Sequence, residues 1–456
     1  MRTVSYLVEV IPDALFVISA VFVALVSFFL FRKASGTMSI YRLTIISVTY
    51  YVWLLLMFYV GLVLNILGVE NYALTQRSDR SIRMAYAAVS YVMLVMPLSM
   101  IFYQKVLFHG KIKNKVYQFY SATIKPVQTV KDSAQIYFWS ILTVICIGGV
   151  IYCYSIVPGT PIFAALSGAS ALEIAKLRHI TTFEFPGNVY VKNLIVAQLT
   201  PYVSYVAFIY YKLYNKNSLR VWFYITFLLA VLALLYTTEV KPIALYVVGF
   251  VLIKGIISRG LSTRLIVYII IGAITAILMM SYLTDGLVPI SFYGGPLSRL
   301  VMVQSNGLAA AFEVFPKGHE FLYGASLPEW MLPLFNIDEQ VKAGRLLMKI
   351  NNPEGVRAGT AGRQVSLFVM EAYANFGLAG LYISPLLVGF VLQSVHNIVL
   401  SLRKNPLTVS LMVMFMVGIP IISGFFRILW NVALIFVVVV TIISILWRKA
   451  LVEPHV

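Results

Sequence analysis

Residues 428–447 read ILWNVALIFVVVVTIISILW, and Arg448 and Lys449 follow directly. No ionisable side chain interrupts this run. A helix rises about 1.5 Å per residue, so a run of this length spans the roughly 30 Å hydrocarbon core of a bilayer. The apolar residues are continuous rather than alternating, which fits a helix and not a strand of a membrane barrel. In lipid each backbone amide must be satisfied within its own segment, and a helix does this.

Similar runs lie outward from this one, near 407–426 and 378–400. Others lie near 10–31, 44–67, 83–104, 136–157, 193–211, 221–238, 241–258 and 265–284. The expected fold is therefore an all-α integral membrane protein of about eleven transmembrane helices. Residues 1–284 hold the first eight, with an extracytoplasmic loop at 158–192. Residues 285–377 form a large extracytoplasmic loop, and 378–456 hold the closing helices. The first run lacks an A-x-A cleavage site, carries Glu9 and Asp13 at its start, and is followed by Arg32 and Lys33. That pattern reads as an uncleaved anchor with its N-terminus outside.

Composition agrees. The chain is 60% hydrophobic and 11% charged, with a mean hydropathy of +0.88. A soluble domain is about a quarter charged, and surface scaling leaves one of this size no room to bury so much apolar surface. The net charge of +18 sits between the apolar runs, so it reads as topology and implies no nucleic-acid partner. Cys146 and Cys153 share one run and read as packing residues.

Alternate loops, starting with 32–43, collect just over half of the 35 Lys and Arg but only Asp132 and Glu453 of the 17 acids. They are assigned to the cytoplasm. The basic loop 105–135 then reads as an anchor to anionic membrane lipids. The other face carries both signs of charge and both long loops, which suits polar chemistry there. Within the large loop, 298–315 and 327–335 read as short interfacial helices lying on the membrane. No internal repeat is visible, which disfavours common transporter architectures.

There is no phosphate-cradling GxxxxGK[ST], HExxH, GxSxG or Cys/His metal spacing. Neither nucleotide-driven pumping nor zinc hydrolysis is expected. What stands out is cations on the outer side: Arg178, Lys241, Arg299, Arg345, Arg357, Arg363 and Arg427. An Arg fork binds a phosphate diester or pyrophosphate bidentately, so cations gathered at headgroup level suit an anionic lipid-linked substrate. The plainer reading is contact with phospholipid headgroups or nearby acids; for Lys241 it is a pair with Glu239. In QVSLFVMEAYANFGLAGLYISPLLVGF (364–390), a helix would put Gln364, Glu371 and Asn375 on one face. A lone carboxylate among apolar residues suits a general acid or base. The alternative is that Glu371 pairs with an outer cation such as Arg363. Gly377 and Gly380 are placed to end a short helix and let the next span approach closely.

The layout resembles the Wzy-type oligosaccharide repeat-unit polymerases of bacteria, the O-antigen polymerases. In that family many spans precede a large periplasmic loop. A segment like FPKGHEFLYGASLPEWMLPLF (315–335) leads into a helix like EAYANFGLAG (371–380), and an Arg lies between the last two spans, here Arg427. The family commonly has Arg where this chain has Lys241.

The resemblance implies a GT-C-like glycosyltransferase in the bacterial cytoplasmic membrane, with its active face periplasmic. It would polymerise undecaprenyl-pyrophosphate-linked oligosaccharide repeat units into a surface polysaccharide. A chain-length regulator and a flippase would be its partners, and it would use no cofactor because the donor already stores the energy. On that reading Arg178, Lys241, Arg299 and Arg427 bind the pyrophosphate. Glu371 takes or orients the acceptor proton, with His319 as the second candidate. An O-antigen ligase-like transferase shares the layout and donor. A multi-pass lipid-oligosaccharide flippase is the non-enzymatic alternative, but it calls for repeats and charges deep within spans.

Overall fold

The computed structural model describes residues 2–108, 112–124, 129–157, 159–236, 240–285, 290–419, 421–422 and 424–452. Among these the chain is all-helical, with no strand. The main helices are α1 (Arg2–Ser35), α2 (Ile45–Ile66), α3 (Asp79–Leu107), α4 (Ile112–Ser121) and α5 (Thr129–Ile156). There follow α6 (Ala171–Phe183), α7 (Val191–Tyr214), α8 (Asn217–Leu235), α9 (Val240–Ile257), α10 (Thr263–Asp285) and α11 (Val303–Val314). The last are α12 (Ala343–Asn351), α13 (Val369–Ser401), α14 (Pro406–Gly418), α15 (Phe425–Leu429) and α16 (Val432–Val452).

Eight stretches among the described residues are helices long and apolar enough to cross a membrane. Six lie in α1, α2, α3, α5, α7 and α8; the others are α13 and Phe425–Trp447, which joins α15 to α16. The runs expected at 241–258, 265–284 and 407–426 appear as shorter apolar helices, Pro242–Ile257, Thr263–Gly272 and Pro406–Gly418. The last helix, α16, carries its apolar residues on two opposite stripes. On α16, Leu434, Val437 and Val440 are buried, while Ile435, Val439, Ile442 and Leu446 are exposed. An outward apolar stripe of this kind is costly in water and matched by lipid.

Hydrogen bonds divide the loops into two sets, one at each end of the bundle. At the basic end, Leu261 N–H donates to the Tyr41 carbonyl at 2.7 Å, and the Tyr120 hydroxyl donates to the Leu43 carbonyl. The Lys404 ammonium is buried and donates to the carbonyls of Ala122 (2.9 Å), Ile256 (2.8 Å) and Tyr120 (3.3 Å). It thereby satisfies carbonyls at or just beyond the C-terminal ends of α4 and α9, which have no helical donor. Burial, with Arg259 close by, pulls its pKa down to about 8. Just inside this end, Gln104 of α3 meets Gln393 and Asn397 of α13, and His396 Nε2 donates to the Ser35 carbonyl at 3.1 Å. These side chains pin α13 to α1 and α3.

At the other end, residues 69–78, α6, residues 290–368, the start of α13 and α15 come together. Asn71 donates to the Phe292 carbonyl at 2.8 Å and to the Ser298 hydroxyl at 2.6 Å. The loops joined by these bonds thus gather in two separate clusters.

Two expectations need correction. The stretch 298–315 does not lie as one helix on a surface. It forms a short helix, Pro296–Val301, and then α11, whose Leu308, Ala309, Ala310 and Ala311 are completely buried. Its small side chains let it pack among α2, α3 and α13, so it belongs to the core. Residues 329–335 do form a short exposed 3-10 turn, with Trp330, Leu334 and Phe335 outward. The second correction concerns Gln364. It precedes α13, and its N–H donates to the Gly344 carbonyl at 2.8 Å. It therefore cannot share a helical face with Glu371 and Asn375.

Candidate functional site

The segment EAYANFGLAG begins α13 and is broken at Gly377, whose φ of 58° and ψ of −141° are non-helical. Such a conformation is cheap only for glycine. The break frees the carbonyls of Ala374 and Asn375, which accept from Leu322 N–H (2.9 Å) and Tyr323 N–H (3.0 Å). The Asn375 side-chain oxygen accepts from Gly324 N–H (3.1 Å) and Ser326 N–H (3.3 Å), and its amide donates to the Glu371 carbonyl at 2.7 Å. The loop 322–326 is thus held on the first turns of α13. A Cβ on Gly380 would run into the Ala372 carbonyl, so both glycines serve this tight turn.

Glu371 points from the first turn of α13 toward α15. One carboxylate oxygen accepts the Phe426 N–H at 3.0 Å. Gly424 packs so closely that a Cβ there would lie 2.5 Å from both carboxylate oxygens. The arrangement places a carboxylate at the N-terminal turn of α15, where backbone donors lack helical acceptors. Arg363 and Lys342 are the cations whose charge acts on Glu371, but among the described residues neither makes a direct ion pair with it. Arg427 follows Phe426 on the same turn and is exposed. Glu371 therefore fixes the turn that presents Arg427.

The other expected residues lie at the same end but are not drawn into one contact set. Arg178 is partly buried on α6. That helix meets the large loop where the Arg345 guanidinium lies 5.1 Å from the centre of the Phe183 ring. It is also held by Lys192, whose ammonium donates to the carbonyls of Thr181 (3.1 Å) and Thr182 (3.0 Å). Arg299 is partly buried near the end of the helix Pro296–Val301, and its carbonyl accepts from the Gln304 side chain at 3.0 Å. His319 turns its ring back, Nδ1 donating to the Glu320 carbonyl at 2.6 Å, and packs on Phe315. Among the described residues no hydrogen bond joins it to Glu371. Lys241 is in the first turn of α9, but its side chain and Glu239 lie outside the described residues.

Sequence reasoning missed one group at this end. Arg77 donates to Glu313 at 3.0 Å, Asn306 at 2.7 Å and Asn351 at 3.1 Å. Glu313 also accepts from Ser78 N–H (2.6 Å) and the Ser81 hydroxyl (2.9 Å). Burial works against its charge, but these donors together hold the carboxyl below its usual range. The network clamps α11 and α12 to the start of α3.

The class defined by this fold is an all-helical chain compatible with a multi-pass membrane protein, with a layered, cation-bearing loop structure at one end. No family model, curated protein or solved structure matches it.

Proposed function

We propose that the chain crosses the membrane eleven times, with residues 285–377 as a large extracytoplasmic loop, and is a polysaccharide polymerase of the bacterial cytoplasmic membrane. It transfers a growing glycan from its undecaprenyl-pyrophosphate carrier to a sugar hydroxyl of the next lipid-linked repeat unit. The anomeric carbon–oxygen bond to pyrophosphate breaks and a glycosidic bond to the hydroxyl oxygen forms. The hydroxyl proton passes to Glu371 or His319, and the lipid pyrophosphate leaves with the bonding electrons.

The observation that carries this reading is the placement of Arg427. It is exposed on a short turn whose start is anchored on Glu371, within the motif that gives the chain its resemblance to the polymerases. A preorganised guanidinium at headgroup level stabilises charge as it develops on a departing pyrophosphate without having to reorganise. Arg178, Arg299 and Lys241 serve the same anion from the surrounding elements. Glu371 positions the turn of Arg427 and is the first candidate to take or orient the acceptor proton, with His319 the second.

The test is polymer formation in cells carrying Arg427→Ala, Arg299→Ala or Arg178→Ala. Loss of long glycan chains at normal protein levels supports the reading. Unchanged length and yield in all three variants contradicts it.

A further inference from the structure

We propose that Trp330 and Trp430 form a sugar-binding corner beside Arg427, which seats the pyranose bonded to the pyrophosphate of a lipid-linked glycan. The inference rests on the polymerase reading and adds to it the residues that hold the sugar. Three observations carry it.

First, the two indoles meet edge to face, with ring centres 5.9 Å apart and planes at 87°. They come from different elements. Trp330 belongs to the turn 329–335, and Trp430 ends α15, where its backbone N–H donates to the Phe426 carbonyl at 2.9 Å. Arg427 stands three residues before Trp430, a spacing that brings side chains on a helical turn within about 5–6 Å at Cβ. A cation for the pyrophosphate thus adjoins an aromatic corner for the ring bonded to it.

Second, both indoles are exposed, Trp330 by 59% and Trp430 by 43%. The segment that carries Trp330 buries Leu327 and Leu332 on either side of it and leaves the larger ring outward. Among the described residues neither indole N–H has an acceptor. An indole face packs on the C–H face of a pyranose, and its N–H donates to a hydroxyl.

Third, residues 327–339 hold Glu329, Asp338 and Glu339, all exposed, and no Lys or Arg. Carboxylates are costly in hydrocarbon, whereas they accept hydrogen bonds from sugar hydroxyls. The charge of this segment therefore favours a sugar over the bilayer as the occupant.

The experiment measures binding by the purified full chain, in phosphatidylcholine nanodiscs, of two probes. One is undecaprenyl pyrophosphate, and the other is the undecaprenyl-pyrophosphate-linked oligosaccharide extracted from the cells that make it. Wild type is expected to bind the sugar-bearing lipid about tenfold more tightly, as one aromatic contact with its hydrogen bond provides. Trp330→Ala and Trp430→Ala are expected to abolish that preference, and Trp330→Phe and Trp430→Phe, which keep a ring, to retain part of it. Thermal melting without either lipid confirms that each variant is folded. Equal binding of the two lipids by wild type overturns the sugar corner and leaves the pyrophosphate site standing. Binding of neither lipid overturns the polymerase reading and the corner with it. A preference undiminished in the folded variants also overturns the proposal. Brominated phospholipids test the bilayer as occupant: quenching of the fluorescence that Trp330→Phe removes would place the corner in the membrane and overturn the sugar assignment.

Discussion

The Glu371 carboxylate accepts the backbone N–H of Phe426 at 3.0 Å, across 55 positions of sequence. This bond ties the start of α13 to the turn that carries Arg427. Glu371→Ala is expected to cost about 1–3 kcal/mol, by leaving a buried donor unmatched, and to lose most activity. Glu371→Gln keeps an acceptor oxygen and is expected to keep most of both. Thermal melting and glycan length, measured on the two variants together, separate a positioning role from proton transfer. Full stability with no activity in Glu371→Gln would assign Glu371 to the proton.

Gly424 is the second half of that contact. Because a Cβ there would lie 2.5 Å from both Glu371 oxygens, Gly424→Ala must push the carboxylate off Phe426 or shift α15. Overpacking of this kind costs about 1–3 kcal/mol. Reduced glycan yield at normal membrane insertion is the expected readout. A variant with wild-type melting and yield would show that the turn tolerates displacement.

Asn375 makes three hydrogen bonds that no apolar residue can replace. Asn375→Leu leaves Gly324 N–H and Ser326 N–H without their acceptor, so loop 322–326 is expected to open locally. Hydrogen exchange of that loop should rise about tenfold or more, with little change in the helices at the basic end. Unchanged exchange would mean that the backbone bonds to Ala374 and Asn375 suffice.

Glu313 gives a pH dependence of defined sign. Its folded-state pKa lies below the ordinary value near about 4.3. Its stabilising contribution is therefore present above that ordinary value and is lost as pH falls through the folded one. Melting temperature followed from neutral pH into the acid range should fall more in wild type than in Glu313→Gln. Arg77→Met is expected to cost about 1–3 kcal/mol at neutral pH by leaving Glu313 without its charged donor. Parallel acid profiles for wild type and Glu313→Gln would count against the clamp.

The eight long apolar helices and the gathering of loops at two ends were legible because both are local signals, continuous apolarity and loop charge. The break at Gly377 was legible for the same reason, since a glycine pair marks a turn. The interior position of α11 was not. Its Leu-Ala-Ala-Ala stretch has the composition of an interfacial helix, and only the neighbours that its small side chains admit show that it is core. Arg77 and Glu313 meet across 236 positions, and Lys404 reaches carbonyls 148 and more positions away. Nothing in the local pattern around such residues marks the partner. Gln364 was misplaced because its register fits a helix, whereas its N–H is committed to Gly344. The expected cations were legible as residues of one end, but their arrangement depends on α6 meeting α12 and on α15 packing against α13.

The most direct measurement is reconstitution of the purified protein with its polyprenyl-pyrophosphate-linked repeat unit, followed by a gel that resolves glycan length. A ladder of evenly spaced bands, formed with no nucleotide or other protein present and lost in Arg427→Ala, is the predicted result. An authentic repeat unit left entirely unextended by well-folded wild-type protein would contradict the polymerase assignment.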